Sequence, residues 1–187
     1  MTELSALEIL EKLVSFPTVS DRSNLELVDW VEGYFNSFDI KTFRKYNEDN
    51  NKASLFAHVG PLIEGGVVLS GHTDVVPVEG QDWSTDPWVL TEKNSRLYGR
   101  GSCDMKGFDA LSIWAMIEAK KSDVKRPLQI ALSYDEEVGC IGAPPMIDEM
   151  IKQLPKASMV IVGEPSTMLA VTGHKLSLIH ISEPTRL

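Results

Sequence analysis

Four short stretches of this sequence hold the side chains best suited to chemistry. "VVLSGHTDVVP" carries His72 and Asp74, "LYGRGSCDMKG" carries Asp104, "SYDEEVG" carries Glu136 and Glu137, and "VIVGEPS" carries Glu164. One imidazole with several carboxylates is a donor set for divalent zinc, cobalt or manganese. Calcium fits poorly, because no EF-hand spacing occurs and histidine is a weak calcium ligand. The acidic run is the sharpest clue, since Asp135, Glu136 and Glu137 follow the apolar "PLQIALSY" directly. Adjacent carboxylates repel, and near a core they lose hydration, so a cation beside them would account for their presence. Taken singly, each residue has a plainer reading. His72 could be a structural strand-end histidine, Asp104 a helix cap, the glutamates a solvated turn, and Glu164 before Pro165 the start of a turn. Recurrence at four strand ends and helix starts is what favours a metal centre. His72 and Asp74 alternate along extended chain, so the carboxylate can face the imidazole and orient it.

Those residues need a scaffold that brings chain segments together. Helical spacing is expected over residues 4–15 (Leu4, Leu7, Ile9, Leu10, Leu13), ending at "FPTVS". A second helix is expected over "SNLELVDWVEGYFNSF", capped by Ser23 or Asn24, with a stripe through Leu25, Leu27, Trp30 and Tyr34. "IKTFRKY" and "ASLFAHVG" read as strands around the polar turn "NEDNNK", and "GGVVLSGH" as a central strand. A loop and a hairpin through "WVLTEKNSRLYG" precede the strongest helix, "MKGFDALSIWAMIEAKKS". The strand "PLQIALSY", the helix "GAPPMIDEMIKQL" and the strands "ASMVIVGEP" and "MLAVTGH" follow. The alternation predicts an α/β fold, a mixed or largely parallel central sheet flanked by helices.

The chain of 187 residues is 43% hydrophobic, enough for a real core. A net charge of −9 spread along the chain argues against nucleic acid or an anionic membrane as partner. No run approaches the roughly 18 apolar residues of a membrane span, and the first residues lack a signal-peptide pattern. Two cysteines, Cys103 and Cys140, form no CxxC pair and fit a reducing, cytoplasmic setting. "GRGSCDMKG" fails as a dinucleotide loop, because Asp104 stands where the third glycine belongs and would repel a pyrophosphate. Neither a GxSxG elbow nor a Walker loop is present.

In order and spacing, "SGHTDVVPV", "LYGRGSCDMKG", "SYDEEVGCIG" and "VGEPS" resemble the motifs of the di-zinc M20 metallopeptidases. The likeness runs from about residue 3 to Lys175 and is strongest to the acetylornithine deacetylase group, with desuccinylases and aminoacylases as further relatives. It implies a zinc-aminopeptidase-like catalytic domain holding two Zn2+, with Co2+ as a substitute. His72 would bind one metal and be oriented by Asp74. Asp104 would bridge both metals, followed by a cis peptide. Glu137 would bind the second metal, Glu164 the same metal as His72, and Glu136 would be the general base. The implied reaction is hydrolysis of a small N-acylated amino acid, N-acetyl-L-ornithine first, in arginine biosynthesis. The full-length enzyme would be a homodimer.

Two departures from that pattern shape the expectations. The family's last ligand, a histidine on the second metal, lies near the carboxyl end of the full-length enzyme. Only His58, His174 and His180 remain here to fill it, none convincingly placed. After "TGHK" the chain reads "LSLIHISEPTRL", which resembles the translation of a sequencing adapter read through from an incomplete gene. Residues 1–175 are therefore expected to be the amino-terminal part of an incomplete catalytic domain, inactive alone, and 176–187 a non-native tail. An uncovered sheet should then make the chain poorly soluble. Other readings are another deacylase of the family, such as a succinyl-diaminopimelate desuccinylase or an aminoacylase, a non-catalytic metal-binding or interaction protein, and an α/β domain without metal.

Overall fold

The computed structural model describes residues 2–171. Helix α1 (Ala6–Val14) starts at a capping box, in which Ser5 and Glu8 satisfy each other's backbone N–H groups. Its buried face is Ile9, Leu10, Leu13 and Val14, whereas Leu7, expected on the stripe, is exposed. Helix α2 (Leu25–Asn36) buries Leu27, Val28, Val31, Tyr34 and Phe35. Leu25 and Trp30 pack only at the edge of that face, so the stripe lies one position round from the expected one. Asn24 occupies the cap position of α2 without a side-chain cap bond. Its amide instead pairs with both backbone groups of Ala53 and donates to Thr73 Oγ1 at 2.9 Å. A residue that looks like a helix cap thus ties the second helix to the sheet.

Strands β1 (Thr42–Tyr46), β2 (Ala53–Val59), β3 (Val67–His72), β6 (Leu128–Ser133) and β7 (Met159–Val162) form one sheet in the order β1-β2-β6-β3-β7. Strands β4 (Thr91–Lys93) and β5 (Arg96–Tyr98) make the expected separate hairpin, turning through Asn94 and Ser95, both at positive φ. The sheet is mixed. β2 runs antiparallel to β1 and β6, while β3 runs parallel to both β6 and β7. Helix α3 (Lys106–Lys121) joins α1 and α2 on one face, over Ala53, Leu55, Ala57, Ile130 and Leu132. Helix α4 (Ala143–Gln153) covers part of the other face, where Phe56, Val68 and Ala131 meet Met146 and Met150. Residues on β2 and β6 alternate between the two cores, as a sheet buried on both sides requires.

The described part of "MLAVTGH", residues 168–171, is not the expected strand. Thr167 and Met168 both adopt positive φ, and Leu169 N–H returns to Ser166 O at 3.1 Å, so the chain turns there. The rest of that stretch, with His174, His180 and the tail, lies outside the described residues. No described helix is long and apolar enough to cross a membrane.

Parallel pairing decides where chemistry can gather. The carboxyl ends of β3, β6 and β7 emerge on the same edge of the sheet, where ligands bind in α/β proteins. On the opposite side of β7 from β3 no strand pairs among the described residues, and all four β7 residues are exposed, Val160 to 57% and Val162 to 59%. Beside it, a cavity of about 550 Å³ runs between α4 and the sheet, lined by Val68, Met146, Ile147, Met150, Ile151 and Val160 among others. An apolar edge of this kind pairs with other chains. Concentration-dependent self-association is expected on size-exclusion chromatography, and Val160→Lys should shift the chain toward monomer.

Candidate metal centre

His72 is the last residue of β3 and is paired with Ser133, so the imidazole sits beside the turn that follows β6. That turn supplies Glu136 and Glu137, the turn after β7 supplies Glu164, and the loop entering α3 supplies Asp104. His72 Nε2 lies 3.1 Å from Asp104 Oδ1, 3.7 Å from Glu164 Oε1 and 3.9 Å from Glu136 Oε2. Two overlapping sets of donor atoms form, His72 with Glu136 and Glu164, and His72 with Asp104 and Glu137, each within 4.8 Å. All five side chains singled out as ligands or base are therefore brought together, and Asp74 lies directly behind them. The Asp104–Met105 peptide is cis.

Asp74 is more than a partner for the imidazole. His72 Nδ1 donates to the Asp74 backbone carbonyl at 2.9 Å, while the nearest carboxylate oxygen is 3.5 Å away. A carbonyl only accepts, so Nδ1 carries a proton and Nε2 faces the acids. The Asp74 carboxylate accepts Glu136 N–H on Oδ1 at 3.0 Å, and Glu137 N–H at 3.2 Å and the Ser20 hydroxyl at 2.6 Å on Oδ2. It is buried, and although burial alone would raise its pKa, these donors and His72 hold it below the ordinary value. Asp74 thereby fixes the backbone that carries both glutamates.

Burial, then Asp104, pushes Glu137 up, and burial outweighs His72 in pushing Glu164 up, with Asp104 and Glu136 adding to the effect. Burial draws His72 down, yet Asp74, Asp109 and Glu164 carry it to about 10. Among the described residues no lysine or arginine comes within ion-pair distance of Asp104, Glu136, Glu137 or Glu164; His72 is their only cationic neighbour. Four carboxylates against a single imidazole are a fit for divalent cations by donor type and by charge. The other described histidine, His58, bonds Gly60 O at 3.1 Å from β2 and stands outside the cluster.

Three features escaped the sequence reading. The stretch "FPTVS" ends a helix but also runs alongside residues 73–75, with Val75 N–H bonding Thr18 O and Ser20 N–H bonding Val75 O, which delivers Ser20 to Asp74. Lys106 and Asp109 are buried in the first turn of α3. Lys106 Nζ donates to Phe16 O at 2.7 Å, and burial lowers its pKa to about 7 against the pull of Asp109 and Asp74. Asp109 is raised well above the ordinary carboxylate range by burial and lies so close under β3 that a Cβ on Gly71 would meet its Oδ1 at 2.0 Å. The signal was available, since Lys106 and Asp109 lie on the inward stripe shared with Ala110, Ile113 and Met116.

Close packing also sets Glu164. A Cβ on Gly163 would lie 1.9 Å from Phe108 Cγ, on a ring carried by α3. Gly163→Ala is expected to lower stability by about 1–3 kcal/mol through overpacking and to swing Glu164 off the cluster. Thermal unfolding with a metal titration checks both effects.

The chain resembles known proteins over most of its length. The chain is 35% identical over 177 residues to an acetylornithine deacetylase of Buchnera aphidicola subsp. Schizaphis graminum, covering 91% of this chain and 45% of the relative. It is 34% identical over 188 residues to that of Salmonella paratyphi B, covering 96% and 47%. The chain thus spans about half the length of the curated relatives it matches. Among solved structures, an M20 family metallo-carboxypeptidase, Sso-CP2 from Sulfolobus solfataricus, superposes with a TM-score of 0.74 at 20% identity, over 86% of this chain and 37% of that one. Human carnosine dipeptidase 1 superposes at 0.70, also at 20% identity, over 84% and 37%. At such identity the likeness concerns the fold alone, an α/β domain with a mixed sheet. Residues 68–185, more than half the chain, match the sequence model of Peptidase family M20/M25/M40, and this chain belongs to that family.

Proposed function

We propose that this chain carries the amino-terminal share of a two-metal amide hydrolase, acting on N-acetyl-L-ornithine to release L-ornithine and acetate. The observation that carries the reading is the convergence of His72, Asp104, Glu136, Glu137 and Glu164 on one sheet edge. The substrate is taken from the acetylornithine deacetylases to which the chain is 33–35% identical. Arginine biosynthesis and the cytoplasm follow from that substrate. Zinc is the proposed metal, with cobalt as a substitute, and the proposed whole enzyme is a homodimer. Residues 1–175 are proposed as the share of the catalytic domain present here, and because the chain spans about half the length of those deacetylases, it is expected to turn over no substrate alone.

His72 and Glu164 would hold one cation, Glu137 the other, and Asp104 both. When bound, such a pair supplies Lewis acidity to an attacking water and to the acyl carbonyl. Glu136 does the proton work. Its Oε1 accepts the Cys140 thiol at 3.2 Å, which leaves Oε2 turned toward the cluster, 3.9 Å from His72 Nε2. From there Oε2 takes a proton from water and returns it to the departing amine nitrogen. Burial first, and then the neighbouring carboxylates, raise the pKa values of Glu137 and Glu164, and bound cations would offset both.

The test is metal analysis of this chain, together with ornithine release by a family-length protein carrying these residues. A stoichiometry of two zinc and cleavage of N-acetyl-L-ornithine support the reading. Cleavage of N-succinyl-diaminopimelate instead would move it to a desuccinylase, and absence of bound metal would end it.

A further inference from the structure

The metal-centre reading gives roles to Glu136 and Glu137 but none to Asp135, the first acid of the run. Asp135 does not face the cluster. Both its carboxylate oxygens lie 2.7 Å from Lys52 Nζ, and each of the two side chains is only 12% exposed. Lys52 stands just before β2 and is 83 residues away in sequence. The same ammonium donates to Ser20 O at 2.6 Å, and the Ser20 hydroxyl donates to Asp74. Asp135 adopts φ +54, a left-handed conformation uncommon for a residue with a side chain, so contacts around it must hold it there. Its carbonyl accepts Ile141 N–H at 3.0 Å, closing the turn from the other side.

We infer that Lys52 and Asp135 are a positioning pair, pinning the turn after β6 so that Glu136 and Glu137 face the centre. One ammonium thereby joins three segments: the stretch before α2, the entry to β2, and the acidic turn. Asp74 grips the glutamates by their N–H groups, and Lys52 grips the residue immediately before them. With both anchors in place the turn has little freedom to rotate its carboxylates away. The inference rests on the metal-centre reading for its zinc arm only.

The test compares the 187-residue chain with Lys52→Met and Lys52→Arg, at concentrations below the onset of self-association. Zinc affinity is measured by competition with a chromophoric chelator, and hydrogen exchange is followed at the amides of residues 134–142. Lys52→Met is expected to weaken zinc binding about 10–100-fold, as loss of ligand support does. It should speed exchange at Glu136 and Glu137 about tenfold or more, with amides in the middle of β2 and β6 unchanged. Lys52→Arg, which keeps a cation in place, should restore most of both. Exchange that rises uniformly, or a turn that exchanges at the wild-type rate, overturns the inference. Where Lys52→Met fails to fold, Asp135→Asn provides the same readouts with an acceptor retained. A wild-type chain that binds no zinc refutes the metal reading, and the exchange measurement then decides the pair by itself.

Discussion

Glu136→Gln is expected to leave the metal content of the protein unchanged and to reduce kcat by about 10²–10⁴-fold, the usual span for loss of a general base. Glutamine matches glutamate in shape, so the turn and its Asp74 anchors should survive. The amide can still accept the Cys140 thiol through its oxygen. What it cannot do is take a proton from water at the position of Oε2. The prediction is sharp because Glu136 belongs to one of the two donor sets around His72. If it were a ligand, the substitution would remove metal as well as turnover. Glu137→Gln is the control, and there metal should be lost. Metal analysis beside turnover in a family-length protein separates the two roles. Full activity in Glu136→Gln, or loss of metal from it, rejects the assignment.

That the sequence singles out side chains which then converge has a physical source. A polar cluster at strand ends is written locally, as a polar residue where an apolar run stops, and β3, β6 and β7 each end that way. What brings them together is parallel pairing of β3 with β6 and β7, and alternation of strands and helices announces such pairing. The support around the set was not legible. Lys52 reads as the end of a polar turn, and Asp135 as one of three adjacent acids beside a cation. Only the antiparallel pairing of β2 with β6 places them against each other.

Helix α3 is a different case, because its spacing already puts Lys106 and Asp109 on the inward stripe. Lys106 and Asp109 look like solvated charges in a first turn, where an acid is ordinarily favoured. Their burial follows from tertiary packing, because α3 lies under β3 with its first turn beneath Gly71 and the loop at Gly101. The stripe of α2 was misplaced for a related reason. Trp30 is the larger apolar residue, but Val28, Val31 and Phe35 face the sheet. The described part, residues 168–171, of the strand expected over "MLAVTGH" failed because apolar composition speaks for burial, while backbone direction there is set by the turn at Thr167 and Met168.

Zinc binding is expected to tighten about tenfold per pH unit and to release a proton from His72 as it does so. In the metal-free protein His72 has its pKa raised from 6.5 to about 10: burial lowers it, and Asp74, Asp109 and Glu164 more than reverse that. The sign follows from linkage. A group whose folded pKa is raised contributes stability fully below its unfolded value, near pH 6.5, and loses that contribution as pH climbs through about 10. At neutral pH the metal-free cluster is therefore held together partly by an imidazolium. A cation needs the Nε2 lone pair, so it must displace that proton while taking over the same carboxylates. Affinity should rise about a hundredfold between about pH 6 and about pH 8 from this residue alone. Protons on Glu137 and Glu164, whose pKa values are also raised, steepen the rise on the acid side. Calorimetry in buffers of differing ionisation enthalpy measures the protons released. Asp74→Asn should reduce that release near neutral pH, since it removes the largest influence keeping His72 charged. A binding constant that does not change with pH over this range would mean that Nε2 of His72 is not where the cation sits.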